Sequence, residues 1–280
     1  MPWGNPVGSH LYRLLESVLA ACMKVLRAIT GVVFGLWVLF ASICGAMVIG
    51  TCIALPFCWL PRGKRERYTR TACRLWAKFT LLLMMVRLEV TGDANLGRHD
   101  GAIVFANHRS WLDPIVLAAT FSAGGLSKRQ ILYIPFIGMY AYLTGSIFFD
   151  RRSLKQRLRA RDEVVGLVRS GCRLQVFPEG TRSKTDTVRD KVHLRTARDA
   201  WSNDLLVVPC ALWGTDRAIP VKERAAWPLQ RVRLHICAAL RPEDYPDDRA
   251  FAHAAWDGVV THVERLKRED ARSGNRTRTP

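Results

Sequence analysis

Two patterns of hydrophobic and polar positions divide the chain. Near the N-terminus, residues 28–61 contain no charged residue over 34 positions, whereas about 20 apolar residues are enough to cross a bilayer. This stretch predicts one tilted membrane span with spare length, or a kinked or re-entrant hairpin broken near Gly45 and Gly50. A buried helix of a soluble protein is the alternative, and a cleaved signal peptide does not fit because the apolar run starts late and is too long.

From residue 86 onward, short apolar runs alternate with helical patterns. Strands are predicted at 86–90, 102–106, 146–149, 173–177, 205–210 and 232–238, and helices at 114–122, 136–143, 153–170, 189–202 and 248–268. Such alternation predicts an α/β fold, a mixed central sheet flanked by helices, with its chemistry on loops at strand ends.

We therefore divide the chain into three parts. Residues 1–80 form an N-terminal membrane-anchoring or interfacial helical region, and residues 81–268 form the α/β domain. Residues 269–280 are polar and basic, which predicts a disordered tail.

The charge of the chain implies an anionic partner. Lys and Arg number 42 against 24 Asp and Glu, a net charge of +18, which favours a membrane surface, a phosphorylated substrate or nucleic acid. Seven basic residues and one acidic residue lie at 62–78, directly after the apolar stretch. Only Arg13, Lys24 and Arg27 are basic on the N-terminal side of the apolar stretch, so the positive-inside rule places the C-terminal side in the cytoplasm. The basic run also suits an anionic membrane surface, with a solvated linker helix as the alternative. No nucleic-acid partner is predicted, because no recognised nucleic-acid-binding motif accompanies the charge.

The eight cysteines contain no Cys-x-x-Cys pair and no histidine spacing typical of a zinc site. We infer a reducing compartment without a disulfide framework. No metal is predicted to be required.

Candidate chemistry begins where the strand at 102–106 ends. The chain continues as Asn107-His108-Arg-Ser-Trp-Leu-Asp113, and Pro114 after Asp113 is typical of a helix start. A loop histidine five residues before an aspartate suits a general base, because the carboxylate can accept one ring N–H while the other nitrogen faces a substrate hydroxyl. The alternative is that Asp113 caps the helix and His108 is an ordinary loop residue.

A second candidate follows the strand at 173–177. In Pro178-Glu179-Gly180-Thr181-Arg182, Gly180 lets backbone amides approach a ligand closely. Glu179 offers a carboxylate to substrate hydroxyls or a cation, and Arg182 offers a guanidinium to phosphate. The alternative is a simple turn with surface charge.

Two weaker candidates also lie at strand ends. Arg151 and its neighbour Arg152 suit a phosphate, or a solvated helix start. Pro209 lies in an apolar run that suits the wall of an acyl-chain channel, although core packing is the default explanation. Its neighbour Cys210 is interpreted as an inert, buried thiol.

Together these stretches resemble the four motif blocks of the glycerolipid acyltransferase family, the 1-acylglycerol-3-phosphate acyltransferases and their relatives. The blocks correspond to residues 107–113 (His-x4-Asp), 145–152, 177–183 (Phe-Pro-Glu-Gly-Thr-Arg-Ser) and 208–209, and Lys128 and residues 134–138 are also similar to family positions. Order and spacing agree, and the resemblance covers about residues 85–240.

The resemblance implies transfer of a fatty acyl group from a thioester, acyl-CoA or acyl carrier protein, to the free hydroxyl of 1-acyl-sn-glycerol 3-phosphate, giving phosphatidic acid. It implies that His108 is the base and Asp113 its partner, without a cofactor or covalent acyl-enzyme. It places the acceptor beside Arg151, Glu179, Gly180, Thr181 and Arg182. Because both substrates are amphiphiles, the site is expected on the cytoplasmic side of the cell inner membrane or another membrane.

One stretch departs from the family pattern. Relatives commonly continue after the third block with a Phe-Lys-x-Gly-like stretch, but residues 188–200 here contain no glycine, and Lys191 is the only candidate for the lysine. The acceptor therefore stays open, with a lyso-ornithine lipid, another lysophospholipid or glycerol 3-phosphate as alternatives. A non-catalytic basic membrane protein or a nucleic-acid binder is the alternative outside the enzymes.

Overall fold

The computed structural model describes most of the chain. The described residues are 6–49, 51–52, 59, 62–92, 101–133, 138, 146–150, 152–183, 185, 187–188, 192–223 and 225–276. The helices are α1 (Pro6–Ile49), α2 (Arg62–Leu83), α3 (Asp113–Phe121), α4 (Leu154–Arg169), α5 (Arg195–Ser202), α6 (Thr215–Ala218) and α7 (Asp248–Arg276). The strands are β1 (Arg87–Thr91), β2 (Ala102–Ala106), β3 (Gly124–Lys128), β4 (Ile147–Phe149), β5 (Arg173–Val176), β6 (Val207–Trp213) and β7 (Arg231–Ile236).

The strands form one seven-stranded mixed sheet in the order β1-β7-β6-β2-β5-β3-β4. Strands β6 and β7 are antiparallel, and all other neighbours are parallel. The carboxyl ends of β2 to β6 therefore meet at one edge of the sheet, where ligands of such folds bind. The predicted α/β class with a mixed sheet is confirmed.

Helices cover both faces of the sheet. Side chains of a strand alternate between faces, so Val104 of β2 joins a core layer with helices α1 to α3, while Phe105 joins the layer with α4, α5 and α7. Every residue of β2 and β6 is buried, as expected for central strands that are covered on both faces.

Helix α1 is long, apolar and packed against the domain along part of its length. Its 44 residues span about 66 Å at about 1.5 Å per residue, and Tyr12–Ile49 is long and apolar enough to cross a membrane. It continues unbroken through Gly45, where an added Cβ would lie 2.4 Å from the Phe79 ring of α2. The Trp76 indole donates a hydrogen bond to the Ser42 carbonyl at 2.9 Å. A break at Gly45, one of the predicted alternatives, is therefore absent, and Gly50 lies outside the described residues.

Several elements differ from the sequence prediction. Strand β3 was not predicted, because Gly-Gly-Leu-Ser-Lys lacks the alternation and β-branched residues typical of strands. The helix expected at 189–202 begins at Arg195, and the helix expected at 136–143 lies almost entirely outside the described residues.

The largest difference is at the C-terminus. Residues 269–276, expected in a disordered tail, continue helix α7 to Arg276. Asp270 accepts hydrogen bonds from Arg217 and from the Trp213 indole, the latter at 3.2 Å. These contacts with distant residues hold the last turns of α7 against the domain.

Candidate active site

His108 lies two residues beyond the end of β2, at the edge where the parallel strands end. Its Nδ1 is 2.8 Å from Oδ2 of Asp113; the His108 side chain is 17% exposed and the Asp113 side chain 0%. With Nδ1 engaged by the carboxylate, Nε2 is the ring nitrogen available to a substrate.

The Asp113 carboxylate holds the whole turn rather than capping helix α3. Its Oδ2 also accepts the backbone N–H groups of Arg109 at 2.6 Å and Ser110 at 2.7 Å. The residue at the N-cap position is Leu112, and no side chain caps the helix there. The carboxylate also lies in the first turn of α3, where the helix dipole stabilises negative charge. The alternative of an ordinary capping aspartate does not describe this arrangement.

The loop after β5 packs directly on His108, because β5 is the parallel neighbour of β2. The His108 backbone N–H donates to Oε1 of Glu179 at 2.8 Å, and the Ser183 N–H donates to the His108 carbonyl at 2.8 Å. The Phe177 ring stacks on the imidazole, with centroids 4.2 Å apart and planes inclined by 23°. His108 is thus held by its main chain, by one ring face and by one ring nitrogen.

Glu179 is almost completely buried, at 3% exposure. Burial raises the pKa of its carboxyl from 4.5 to about 7; the Asp113 charge acts in the same direction, while the His108 N–H opposes the shift. Its Oε2 has no hydrogen-bond partner in the described part of the chain. The geometry makes Glu179 a support of the His108 main chain, and direct contact with a substrate stays a prediction.

Gly180, Thr181 and Arg182 form the more accessible side of this loop. Gly180 has a φ of +66°, a conformation that strains other residues, and its N–H closes a turn to the Phe177 carbonyl at 3.0 Å. Thr181 is exposed. The Arg182 guanidinium lies 4.4 Å above the Trp111 ring, and no ion pair joins it to a described carboxylate. The loop therefore presents a stacked cation near His108.

Three further side chains, those of Asn107, Arg109 and Asp216, support the His108 loop. Asn107 accepts the Leu212 N–H at 2.7 Å and donates to the Leu212 carbonyl at 3.0 Å, which ties the end of β2 to β6. Buried Arg109 pairs with Asp216 at 2.8 Å and lies 4.6 Å above the Trp213 ring. Asn107 was visible as part of the motif, whereas Asp216 carried no signal.

The remaining candidates lie apart from His108 or outside the described residues. Arg151 and Lys191 are not described, so their predicted roles stay predictions. The exposed residue Arg152 donates its N–H to Oδ1 of Asp150 at 2.9 Å, as in a turn after β4. No position in the described chain near His108 gathers three metal-ligand side chains; the one such group lies elsewhere.

Pro209 is buried inside strand β6. A Cβ added to Gly258 of α7 would lie 3.5 Å from its Cβ, and its carbonyl accepts the Cys237 N–H at 2.9 Å. Core packing accounts for these contacts, and a channel wall stays a prediction. Burial raises the pKa of the neighbouring Cys210 thiol well above its ordinary value, so this thiol is a poor nucleophile.

Residues 87–213, which include strand β2 and the His108 loop, match the family model described as Acyltransferase. Relatives named 1-acyl-sn-glycerol-3-phosphate acyltransferase include that of Borreliella burgdorferi, 31% identical over 118 residues (41% of this chain, 47% of the relative). That of Saccharomyces cerevisiae is 32% identical over 126 residues (44% and 41%). The alpha enzyme of Mus musculus is 24% identical over 256 residues (87% and 83%). The match thus spans less than half the length of the first two relatives.

A solved structure shares the fold. The crystal structure of the 1-acyl-sn-glycerophosphate (LPA) acyltransferase from Thermotoga maritima superimposes with a TM-score of 0.73 at 22% identity, covering 86% of this chain and 97% of that chain. At this identity the likeness shows the fold alone, whereas the family model and the names of the relatives confirm the resemblance drawn from the four sequence blocks.

Proposed function

We propose that this protein is a membrane-bound O-acyltransferase that acylates 1-acyl-sn-glycerol 3-phosphate to phosphatidic acid, using acyl-CoA or acyl carrier protein as the thioester donor. The observation that carries the proposal is the 2.8 Å contact between His108 and the buried Asp113 within an acyltransferase domain. The names of the relatives support the choice of acceptor.

The proposed reaction moves one proton through His108. Nε2 takes the proton from the acceptor hydroxyl as the hydroxyl oxygen attacks the thioester carbonyl, and Asp113 stabilises the imidazolium that forms. The new C–O bond is retained, the C–S bond breaks, and the imidazolium returns the proton to the thiolate. No acyl-enzyme is needed, in agreement with the burial of Cys210.

Arg182 is the residue that we assign to the acceptor phosphate. Stacking on Trp111 orients the guanidinium without using its N–H groups, so they remain able to bind phosphate oxygens in a bidentate manner. This arrangement favours a phosphate-bearing acceptor over a neutral lipid. Arg151, Gly180 and Thr181 complete the proposed acceptor site.

The proposed location is the cytoplasmic face of a membrane. Helix α1 has many exposed apolar side chains, among them Leu19, Leu36 and Phe40. The basic residues that follow it at 62–78 suit an anionic leaflet. Both substrates would reach His108 from that surface.

The test is an acceptor and donor panel with the protein in detergent or vesicles. Acceptors are lysophosphatidic acid, lysophosphatidylcholine, lyso-ornithine lipid, 1-acylglycerol and glycerol 3-phosphate, each with oleoyl-CoA and with oleoyl carrier protein. Lysophosphatidic acid should give the highest kcat/KM with one of the donors. Faster acylation of another acceptor would overturn the assigned substrate.

A variant of Arg182 tests the basis of that preference. We expect Arg182→Ala to lower kcat/KM for lysophosphatidic acid by about 10- to 100-fold, because charge-assisted hydrogen bonds contribute about 1.5–3 kcal/mol. Any transfer to 1-acylglycerol should be unaffected, and Arg182→Lys should lie between. Equal losses on both acceptors would show that Arg182 does not recognise phosphate.

A further inference from the structure

A group of three potential metal ligands lies outside the candidate active site. His235 and Cys237 are two residues apart, on β7 and directly after it, so both side chains point to the face of the sheet that is covered by α7. Helix α7 contributes His262. One ligand atom from each of the three side chains lies within 4.8 Å of the others. Two elements that are distant in sequence thus bring two imidazoles and a thiol together.

The contacts around this group orient its donor atoms. The Cys237 Sγ lies 3.4 Å from Nδ1 of His262. Nδ1 of His235 is 2.9 Å from the Thr91 hydroxyl of β1, which leaves Nε2 of His235 as its available ligand atom. A hydrogen bond from the second nitrogen of a ligating histidine is a typical feature of metal sites.

The two imidazoles must reorient to share a metal ion. Their planes are nearly parallel, at 14°, with centroids 4.3 Å apart, so their in-plane lone pairs do not yet meet. Both residues are partly exposed; the Thr91 contact holds His235 in place, so metal binding requires the His262 ring to turn its lone pair toward the shared ion. His262 then exchanges its 2.8 Å contact with the Gly258 carbonyl for the metal.

Burial and charge around these three side chains in part favour and in part oppose the binding of a cation. Burial, with the nearby His262 and Arg265, lowers the pKa of His235 to about 4, which keeps its lone pair free at neutral pH. Burial raises the pKa of the Cys237 thiol to about 11, so a bound cation must supply the energy of its deprotonation. Arg265 pairs with Glu269 at 3.6 Å, which partly offsets its positive charge.

We propose that His235, Cys237 and His262 bind a single divalent metal ion of the zinc type, with water as the fourth ligand. Two nitrogens and a thiolate are donors that Zn²⁺ favours in tetrahedral geometry. On binding, the S–H bond of Cys237 breaks, a metal–sulfur bond forms, and the proton passes to solvent. The ion fastens α7 to strand β7, two strands away from β2 in the sheet, and the acyl transfer does not use it.

The test uses the full-length purified protein, stripped with a chelator and titrated with Co²⁺ as a spectroscopic substitute. The wild type should show the thiolate-to-cobalt charge-transfer band and the visible bands of tetrahedral cobalt at one ion per chain. Zn²⁺ should displace the cobalt, abolish these bands and raise the melting temperature, because a ligand that binds only the folded state stabilises it.

Matched variants separate this site from other thiols. Cys237→Ser and His262→Ala should lose the charge-transfer band and the zinc-induced rise in melting temperature. His253→Ala, at an exposed position of the same helix, should retain both. Absence of the band in the wild type, or its persistence in Cys237→Ser, would overturn the proposal, and the wild-type titration decides even where a variant fails to fold.

Discussion

Replacing Asp113 by asparagine separates the charge of this side chain from its hydrogen bonds. The asparagine oxygen can accept from His108 Nδ1, Arg109 N and Ser110 N where Oδ2 now does. What is lost is the negative charge beside the imidazolium. Two unit charges about 4 Å apart at an effective dielectric constant of about 20 interact by about 4 kcal/mol, which corresponds to about 10³ in rate.

We therefore expect Asp113→Asn to lower kcat for acyl transfer by about 10²- to 10³-fold, with little change in KM for the acceptor. The assay measures initial rates with lysophosphatidic acid and a saturating thioester donor. The asparagine nitrogen would occupy the place of Oδ1, which is buried and has no partner among the described residues. A loss of stability of about 1–3 kcal/mol should accompany the change.

A double variant tests whether Asp113 acts through His108. Because residues of one catalytic unit are not additive, His108→Ala with Asp113→Asn should be no slower than His108→Ala alone. Asp257→Asn, which removes a carboxylate at an exposed position of helix α7, is the control and should keep the activity. Multiplicative losses in the double variant, or full activity of Asp113→Asn, would refute the reasoning.

Three further predictions follow from the site. Folding raises the pKa of the Glu179 carboxyl from 4.5 to about 7, so its neutral form contributes stability that is present below pH 4.5 and is lost as pH rises through 7. At about 1.4 kcal/mol per pKa unit, the free energy of unfolding should fall by about 3 kcal/mol across this range. Urea unfolding at pH 5 and pH 8 should show this decline in the wild type but not in Glu179→Gln. An equal decline in the two proteins would contradict the prediction. Asn107→Leu leaves the main-chain N–H and carbonyl of Leu212 without their Asn107 partners and should cost about 2–5 kcal/mol, measured as a lower unfolding midpoint. An unchanged midpoint would show that these two hydrogen bonds do not hold β2 to β6. Chelation should leave acyl transfer unchanged, while activity that returned only with added divalent metal would show that the reaction needs one.

The parts of the fold that the sequence predicted are those with local signals. Strand β2 matches its predicted limits because five consecutive apolar residues are buried on both faces. The pairing of His108 with Asp113 was also accessible, since both lie on one short loop. Strand β3 was missed because its sequence begins with two glycines and its strand character comes from its neighbours.

Contacts between distant elements were not accessible. The hydrogen bond from the His108 main chain to Glu179 depends on β2 lying beside β5, which no local pattern specifies. The same applies to Asp216 under Arg109 and to the anchoring of α7 through Asp270. The group of His235, Cys237 and His262 has no recognisable spacing, because strand β7 and helix α7 meet only in the folded domain.

The most direct test of the account is acyl transfer from oleoyl-CoA to lysophosphatidic acid by the purified wild type and by His108→Ala, with His253→Ala as an exposed-histidine control. If His108 is the base, His108→Ala should lose about 10²- to 10⁴-fold in kcat, the range of general base catalysis. The control should match the wild type. An unchanged rate in His108→Ala would remove this residue from the mechanism and contradict the central claim.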